Sequence, residues 1–338
     1  MVFTRGHYAG RFVRLGVQIL LGSVLSVNAA TPASMQMTDL GTLPGDSDSR
    51  ALAVNNAGQV VGYSNTPNGI VRAVLWDRGR ITNLGTLGGT YSIATAISNQ
   101  AHAAGFSADA TGAVHAFLWA EGRMVDLGTL GGWYSSASAT NDRGQIAGNS
   151  ATSTGEIHGV IWDKGTIRDL GIQSQFVAAT DINNKGQVVG FYQTPSGQPH
   201  AFLWQGGHLT DLGTLGGTFS YAYGISDRGE VTGMSADTFG NIHAFLWRDG
   251  VMRDLHGIAG FGASEQSEAR GISDSGKVAG SVGLGSKRAF IWDGRGAVIL
   301  DTLGGSDSLG LAVNNGGTVV GTSSVSTQTF AVHAFIAR

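Results

Sequence analysis

The chain repeats one phrase at a nearly constant spacing. The stretch HAFLWAEGRMVDLGTLGG at 115–132 returns at 200–217 as HAFLWQGGHLTDLGTLGG. Shorter or weaker copies begin at Arg72, His158, His243, Arg288 and His333. Cut at the DLGTL phrase, residues 39–338 divide into seven repeats at intervals of 42 to 45 residues. A fixed period of this length predicts an array of similar supersecondary units.

Each repeat is predicted to contain four short strands. They are an alternating S-x-A-x-A-I segment (as at 92–97), a G-Q-V-V-G segment (58–62), H-A-F-L-W and the M-x-D-L-G-T-L run. Segments of this length rich in β-branched and aromatic residues are typical of strands. Turns such as Asn183-Asn184-Lys185-Gly186 are interpreted as hairpins between the first two strands. A calcium loop would need more carboxylates at alternate positions than these turns have.

The predicted fold is all-β, a seven-bladed β-propeller of four-stranded blades. The array begins with an isolated fourth strand at 35–43 and ends with a third strand at 333–337. The last repeat therefore lacks a fourth strand, and the N-terminal strand is predicted to supply it and close the ring. Closure would remove an exposed sheet edge. An open array would instead need capping repeats, and the sequence has no candidate for one.

The N-terminus has a different composition from the repeats. Three arginines precede an apolar run at 15–27, which is followed by Asn28, Ala29 and Ala30. This pattern predicts a secretory signal peptide at 1–29, followed by a lead-in at 30–38. We therefore expect a secreted, extracellular or periplasmic protein. The apolar run is short for a membrane span, and no second long apolar segment follows. No membrane span is expected after cleavage.

Composition narrows the possible partners. Without the three leader arginines, 18 Lys and Arg remain against 24 Asp and Glu, so the mature chain is acidic. An acidic chain without a basic patch argues against nucleic-acid binding. The absence of cysteine excludes disulfides and cysteine-ligated metals. No metal or cofactor is predicted, and the protein is expected to be a monomer.

The repeat phrases resemble a known family. HAFLW and DLGTLGG, with A-x-A-I-N-x-x-G-Q-V-V-G between them, are similar to the HAF repeat, a bacterial repeat family described as extracellular. The similarity covers about 39–338 and implies an exported repeat protein. It supplies no catalytic residues and no substrate. The chain departs from the pattern at Arg72, after Asp169, at His256 and Arg288, and at Ala337.

The motif histidines are predicted to be structural. They are His115, His158, His200, His243 and His333. In an H-A-F-L-W strand, His, Phe and Trp share one face, which packs against a neighbouring blade. A hydrogen bond to a nearby Asp or Ser would satisfy a buried imidazole. Equivalent positions on separate blades are too far apart to share a zinc ion. The Asp of DLG is expected to bind turn amides or the motif histidine.

Candidate ligand-binding residues come from the positions at which the repeats differ. Seven residues before each first turn, four successive repeats carry an aromatic residue and the other three carry Asp or Gln. We call Tyr91, Tyr134, Phe176 and Phe219, with the adjoining Trp133, the aromatic arc. We call Asp48, Gln266 and Asp307 the acidic arc. Around a channel mouth, aromatic faces and carboxylates would suit a sugar or a peptide, although the aromatic rings could equally pack over the ends of the blades.

The sequence favours a non-enzymatic binding or scaffold module whose ligand is a glycan or an envelope or extracellular protein. The first alternative is a secreted polysaccharide hydrolase or lyase that uses Asp48 and Asp307, since glycosidases need two carboxyl groups about 5–10 Å apart. The second alternative is a purely structural surface repeat. No nucleophile elbow, HExxH motif or P-loop occurs, and no catalytic residue is assigned.

Overall fold

The repeat folds into four antiparallel strands joined by short turns. The computed structural model describes residues 35–328 and 331–338, so the predicted signal peptide 1–29 and residues 30–34 of the lead-in lie outside the described residues. The described chain forms a single unit, Met35–Arg338. The all-β prediction is confirmed, and so are the four-stranded sheets.

The strands divide into seven groups of four, and we call each group a unit. The first half of the chain contains β1 (Met37–Asp39), β2 (Asp48–Val54), β3 (Val60–Asn65), β4 (Val71–Asp77), β5 (Arg80–Asn83), β6 (Gly88–Ile97), β7 (Ala103–Asp109), β8 (Val114–Ala120), β9 (Arg123–Asp126), β10 (Gly131–Thr140), β11 (Ile146–Thr152), β12 (Ile157–Asp163) and β13 (Thr166–Asp169). Units one to three are β2–β5, β6–β9 and β10–β13. A single parallel bridge between Tyr134 and Val114 joins units two and three into one eight-stranded sheet.

The second half of the chain continues the pattern. It contains β14 (Val177–Ile182), β15 (Val188–Gln193), β16 (Pro199–Gln205), β17 (His208–Asp211), β18 (Gly216–Ile225), β19 (Val231–Asp237), β20 (Ile242–Arg248), β21 (Val251–Asp254), α1 (Leu255–Ala259), β22 (Ser267–Ile272), β23 (Val278–Val282), β24 (Arg288–Trp292), β25 (Ala297–Ile299), β26 (Ser308–Val313), β27 (Val319–Ser324) and β28 (Val332–Ala337). Units four to six are β14–β17, β18–β21 and β22–β25, and unit seven is β26–β28 with β1.

The fourth strands are shorter than the sequence predicts. In unit two the fourth strand ends at Asp126, so the LGTL residues that follow it are not part of the strand. The reason is an Asx turn, in which the Asp126 carboxylate accepts the amide of Gly128 at 2.7 Å. The first strands of units two, three and five are longer than predicted, because the GG pair extends each of them to ten residues.

The core lies between neighbouring sheets. The Phe of each third strand that reads H-A-F or R-A-F is fully buried, and the set is Phe117, Phe202, Phe245, Phe290 and Phe335. In the interface between units two and one, Phe117 packs with Val61, Leu75 and Ala94. Each sheet thus presents an apolar face to the next unit, and burial of these faces is the main force holding the units together.

A buried serine also joins most neighbouring units. Ser135 in the middle of β10 accepts the Ala116 amide of unit two at 2.9 Å and donates to the carbonyl of Gly128 at 2.8 Å. The same serine-to-alanine contact recurs with Ser49, Ser92, Ser220, Ser267 and Ser308. Unit four has Val177 instead, and the residue opposite it is Gly159, where an added Cβ would lie 3.2 Å from Val177.

The two ends of the described chain meet in one sheet. Strand β1 pairs antiparallel with β28, with Thr38 opposite Ile336. The Asp39 carboxylate lies 2.7 Å from Nδ1 of His333, so the pair that links third and fourth strands elsewhere is formed here between the two ends. The first strand of unit seven also contacts the first strand of unit one. The predicted pairing of the N-terminal strand with the last repeat is therefore observed.

Candidate functional site

The antiparallel sheets give the molecule two distinct ends. The turns from first to second and from third to fourth strand lie at one end, which we call the turn face. The loops from second to third strand and from each fourth strand to the next unit lie at the other, which we call the loop face. The first turns of all seven units line one cavity, so the sheets are oriented alike. Both arcs predicted from the sequence lie at the loop face, where the first strands begin.

The aromatic arc divides into two groups. In units two and three, Trp133 contacts Tyr134 with ring centroids 5.5 Å apart. Tyr91 lies near Tyr134, and its pKa is raised mainly by burial and to a smaller extent by Tyr134. In units four and five, a chain of ring contacts runs from Phe176 through Phe191 and Tyr221 to Phe219.

Exposure differs sharply within the aromatic arc. Trp133 is 64% exposed and Phe176 is 47% exposed, whereas Tyr91, Tyr134 and Phe219 are partly buried. Trp133 and Phe176 are therefore the members of the arc that a ligand can reach most directly.

The acidic arc is bound to the backbone of neighbouring strands. The Asp48 carboxylate accepts the Val332 amide of unit seven at 3.0 Å. The Asp307 carboxylate accepts the Lys287 amide of unit six at 2.9 Å. The carbonyl of Gln266 accepts the amide of Gly283. Asp307 and Val332 border a cavity of about 380 Å³ that also contains Arg50, so Asp48 and Asp307 lie near the same opening.

Both carboxylates are held in the ionised form. Burial acts to raise the pKa of Asp48, but hydrogen bonds from Ser47, the Val332 amide and Asn65 outweigh it and lower the pKa. Hydrogen bonds from Ser306 and from the Lys287 amide lower the pKa of Asp307. A glycosidase general acid needs a raised pKa so that it carries a proton at neutral pH. The pKa values of Asp48 and Asp307 are lowered instead.

The motif histidines each face the Asp of the same repeat phrase. The Nδ1 atoms of His115, His158, His200 and His243 lie 2.6–2.9 Å from Asp126, Asp169, Asp211 and Asp254, respectively. The second oxygen of each carboxylate accepts an amide two residues further along the chain, as Asp211 does from Gly213. Each Asp therefore ties the third strand to the turn that follows the fourth. Within residues 35–328 and 331–338, no group of three or more His, Asp or Glu side chains is placed to hold a metal ion.

The first turns, predicted as hairpins, lie together around the mouth of one cavity. They line a cavity of about 180 Å³ at the turn face. In unit two the Asn99 amide donates to the Asp142 carboxylate of unit three at 2.8 Å, and equivalent bonds link the other neighbouring units from one to six. Between units six and seven the donor is one residue further along, the Ser275 amide, which donates to Oδ1 of Asn315 at 3.2 Å. The series includes the last and first units, where the Asn315 amide donates to Oδ1 of Asn56 at 3.0 Å.

One carboxylate at this mouth has a strongly shifted pKa. Burial, together with the nearby carboxylates of Asp274 and Asp227, raises the pKa of Asp181 to about 7. Its two oxygens accept the amide of Ile182 and the amide of Ile225 in the next unit, both at 2.8 Å. Most other repeats have Ala or Gly at this position, such as Ala139 and Gly224, so a comparison of the repeats would have singled it out.

Besides Trp133 and Phe176, the structure exposes large apolar residues that were not among the candidate residues. Six of the nine large apolar side chains that are exposed lie in the loops and strand starts of the loop face. They are Ile70, Trp133, Phe176, Phe239, Ile258 and Leu284. The other three, Val125, Val251 and Ile299, lie in fourth strands. Among the described residues, the turn face has one such side chain, Val251, which begins β21 directly after a turn.

Charge is also distributed unequally. We count the charged residues in the loops at each face and at the strand ends that adjoin them. Counting only the first or last residue of each strand, the loop face has two basic residues, Lys287 and Arg288, and thirteen acidic ones, which are Asp39, Asp46, Asp48, Asp109, Asp126, Glu156, Asp169, Asp211, Asp237, Asp254, Glu265, Asp301 and Asp307. Two further basic residues, Arg50 and Arg72, lie one or two positions inside β2 and β4 at this end. The turn face has nine acidic residues and eleven basic ones. Most of the negative charge of the described chain therefore lies at the loop face.

Comparisons with known proteins identify the fold. No protein-family model matches the chain, and no curated protein matches it. The solved structures that it resembles include the β-propeller domain of the Trilobed protease from Pyrococcus furiosus, with a TM-score of 0.60 at 11% identity. That match covers 86% of this chain and 94% of the other.

Two further structures resemble the chain over part of their own length. TolB from Acinetobacter baumannii has a TM-score of 0.50 at 14% identity, covering 76% of this chain and 64% of that one. An acylaminoacyl peptidase from Pyrococcus horikoshii has a TM-score of 0.57 at 10% identity, covering 87% and 52%. The chain thus spans about half the length of that peptidase. In the described residues, no helix has the length and apolar character needed to cross a membrane. At such low identity the likeness concerns the fold alone, and the fold is that of a β-propeller.

Proposed function

We propose that the protein is an exported, non-enzymatic binding or scaffold module, built as a closed ring of seven blades and related to the HAF-repeat proteins. The pairing of β1 with β28 supports closure. The amide-to-side-chain bonds that pass through all seven first turns, from Asn56 round to Asn315, support it as well. The predicted signal peptide at 1–29 and the resemblance to an extracellular repeat family support export.

The proposed binding site is the aromatic arc at the loop face. The observation that carries the proposal is that four successive units place aromatic side chains at one end of the molecule, with Trp133 and Phe176 open to solvent. Exposed aromatic side chains supply a large contact area at small cost in conformational entropy, and they stack on sugar rings and on apolar protein side chains alike. The ligand classes are therefore a glycan or an extracellular or envelope protein.

The hydrolase alternative has less support. Asp48 and Asp307 are both engaged by backbone amides of neighbouring units, and their lowered pKa values do not suit a proton donor. These contacts give the two carboxylates a role in joining units, whether or not a ligand also approaches them. A binding module remains the function that the geometry supports best.

The test is a binding screen with a matched pair of variants. The chain from Met35 onward is screened against immobilised glycans and against envelope proteins of the producing cell. For any ligand found, the Trp133→Ala/Phe176→Ala variant is expected to bind at least about tenfold more weakly, as is usual for aromatic contacts at the centre of an interface.

The control is Val125→Ala, which removes an equally exposed apolar side chain from the fourth strand β9. It should leave affinity unchanged. Equal affinity of the double variant and the unmodified chain, with equal thermal stability, would remove the aromatic arc from consideration as the site.

A further inference from the structure

The loop face combines two properties that the turn face lacks. It has six exposed large apolar side chains, of which Phe239 at 88%, Leu284 at 68% and Trp133 at 64% are the most accessible. It also has a large excess of carboxylates over basic groups. These side chains come from separate loops of one face, so a partner that contacts several of them must extend across that face.

A carboxylate lies beside the most exposed of these apolar side chains. Asp237 ends the strand before Phe239, and its carboxylate accepts the Phe239 amide at 2.7 Å. The side chain of Asn241 lowers the pKa of Asp237, and Thr111 lowers that of Asp109 at the equivalent end of β7. Both groups are therefore negatively charged at neutral pH, beside loops that a partner would contact.

We infer that the loop face docks a basic protein segment, one in which lysine or arginine side chains alternate with apolar ones. This inference rests on the proposed binding function and specifies its partner. Apolar side chains of the segment would cover Trp133, Phe239 and Leu284. Its cations would approach the surrounding carboxylates, which steers association and selects against partners of the wrong charge.

Charge argues against the other occupants of such a face. An anionic membrane surface or a nucleic acid would be repelled by thirteen carboxylates. A second copy presenting the same face would bring like charges together. An uncharged glycan would cover the aromatic rings, but it would make no use of exposed carboxylates such as Glu156 and Asp301. A basic segment uses both properties of the surface.

The first experiment measures the binding of two synthetic peptides to the chain from Met35 onward by fluorescence anisotropy. One alternates lysine with leucine, and the other replaces every lysine with glutamate. We expect the lysine peptide to bind, with an affinity that falls at least about tenfold between about 50 and 300 mM NaCl because salt screens the carboxylates. Equal binding of both peptides, or affinity that does not depend on salt, would overturn the inference.

Variants then locate the binding. Glu156 and Asp301 have side chains 74% and 88% exposed at the loop face. The Glu156→Gln/Asp301→Asn variant should bind the lysine peptide several-fold more weakly at low salt and equally at high salt. The Phe239→Ala variant should bind the lysine peptide more weakly at both salt concentrations. The control Asp249→Asn removes an equally exposed carboxylate from the turn face and should have no effect. If the control weakens binding as much, the attraction is not specific to the loop face and the inference is wrong.

The peptide-binding experiment and the test of the proposed function can fail independently. If the lysine peptide does not bind but another ligand requires Trp133 and Phe176, the loop face is a binding site and only the partner class is wrong. If the lysine peptide binds in a manner that depends on salt but not on Trp133 or Phe176, the acidic surface stands and the aromatic arc does not. If the lysine peptide does not bind and no other ligand requires Trp133 and Phe176, both proposals fail.

Discussion

Single side chains that cross from one unit to the next recur throughout the molecule, and Asp181 is the one with the most unusual chemistry. It lies in unit four and accepts the amide of Ile225 in unit five. The carboxylates of Asp227 and Asp274 face it from units five and six. Burial and these neighbours favour the protonated form, so the state of this one group affects how well units four and five fit together.

Stability is therefore expected to fall as the pH rises. The pKa of Asp181 is about 7 in the folded protein, against an ordinary value of 3.8. Between these values the folded chain binds more protons than the unfolded chain, so the stabilisation present below pH 3.8 is lost as the pH rises through 7. The unfolding free energy in urea, measured at pH 5 and pH 8, should fall by an amount on the order of a few kcal/mol.

The Asp181→Asn variant isolates this effect. It removes the titrating group while keeping one oxygen acceptor. Whatever the stability of the variant at pH 5, its unfolding free energy should therefore change less between pH 5 and pH 8 than that of the unmodified chain. Parallel stability curves for the variant and the unmodified chain between pH 5 and 8 would show that the effect arises elsewhere.

At the scale of residues, the sequence predicted which positions vary but not how they are exposed. Counting back from the turns placed Tyr91 and Trp133 at the same end of the molecule. It could not show that Tyr91 is partly covered while Trp133 is open to solvent, because that depends on side chains from neighbouring units. Phe239 and Leu284 were missed because the loops from second to third strand differ from repeat to repeat, so no repeated pattern selects a residue in them.

Within each sheet, a β-bulge on the first strand and a glycine on the second strand recur together. A β-bulge interrupts every first strand near its middle, as between Ala137 and Ala139 in β10. The glycine of V-V-G or I-A-G on the second strand lies against the first strand, and a Cβ built on Gly148 would be only 2.1 Å from the carbonyl oxygen of Ser136. The glycine in this phrase is therefore required by the close approach of two backbones.

Replacing that glycine should distort the sheet. Gly148→Ala forces the first strand of unit three away from the second, and we expect a loss of about 3 kcal/mol or more in the unfolding free energy. The matched control is Gly296→Ala, since a Cβ at Gly296 meets nothing within 4 Å. Chemical unfolding followed by tryptophan fluorescence compares the two. Similar stability for both variants would contradict the steric argument.

The elements themselves were largely predictable, and their ends were not. The repeated A-x-A-I, V-V-G and H-A-F-L-W segments correspond to strands because alternation and β-branched residues are local signals. The fourth strands were predicted too long because an Asx turn, formed by Asp126 in unit two, bends the chain before an apolar LGTL run that itself resembles a strand.

At the scale of the whole molecule, the proposed ring depends on a strand of three residues. Strand β1 covers the edge of β28, which would otherwise present unpaired backbone groups to another chain. The pairing of β1 with β28 was predictable because the last repeat ends after its third strand. The hydrogen bonds round the turn face were not, because they join residues about 43 positions apart and appear only when the units are assembled.

Removing β1 tests closure. A chain beginning at Gly41 lacks β1, whereas a chain beginning at Met35 retains it. The shorter chain should unfold at a lower temperature and should self-associate as its concentration rises, because the β28 edge is exposed. Thermal unfolding and sedimentation velocity of the two chains give the comparison. If the melting temperatures and sedimentation profiles coincide, β1 does not close the ring.

The meeting of the chain ends also has a consequence for how the gene could be rearranged. The backbones of Gln36 and Arg338 exchange hydrogen bonds of 3.0 and 3.3 Å, so a short linker could join them. Because the seven units share one design, such a circular permutant could be reopened in a loop of any other unit, for example at 153–156. The seam would then fall in a different blade. A folded permutant would show that the ends of the chain need not lie in unit seven.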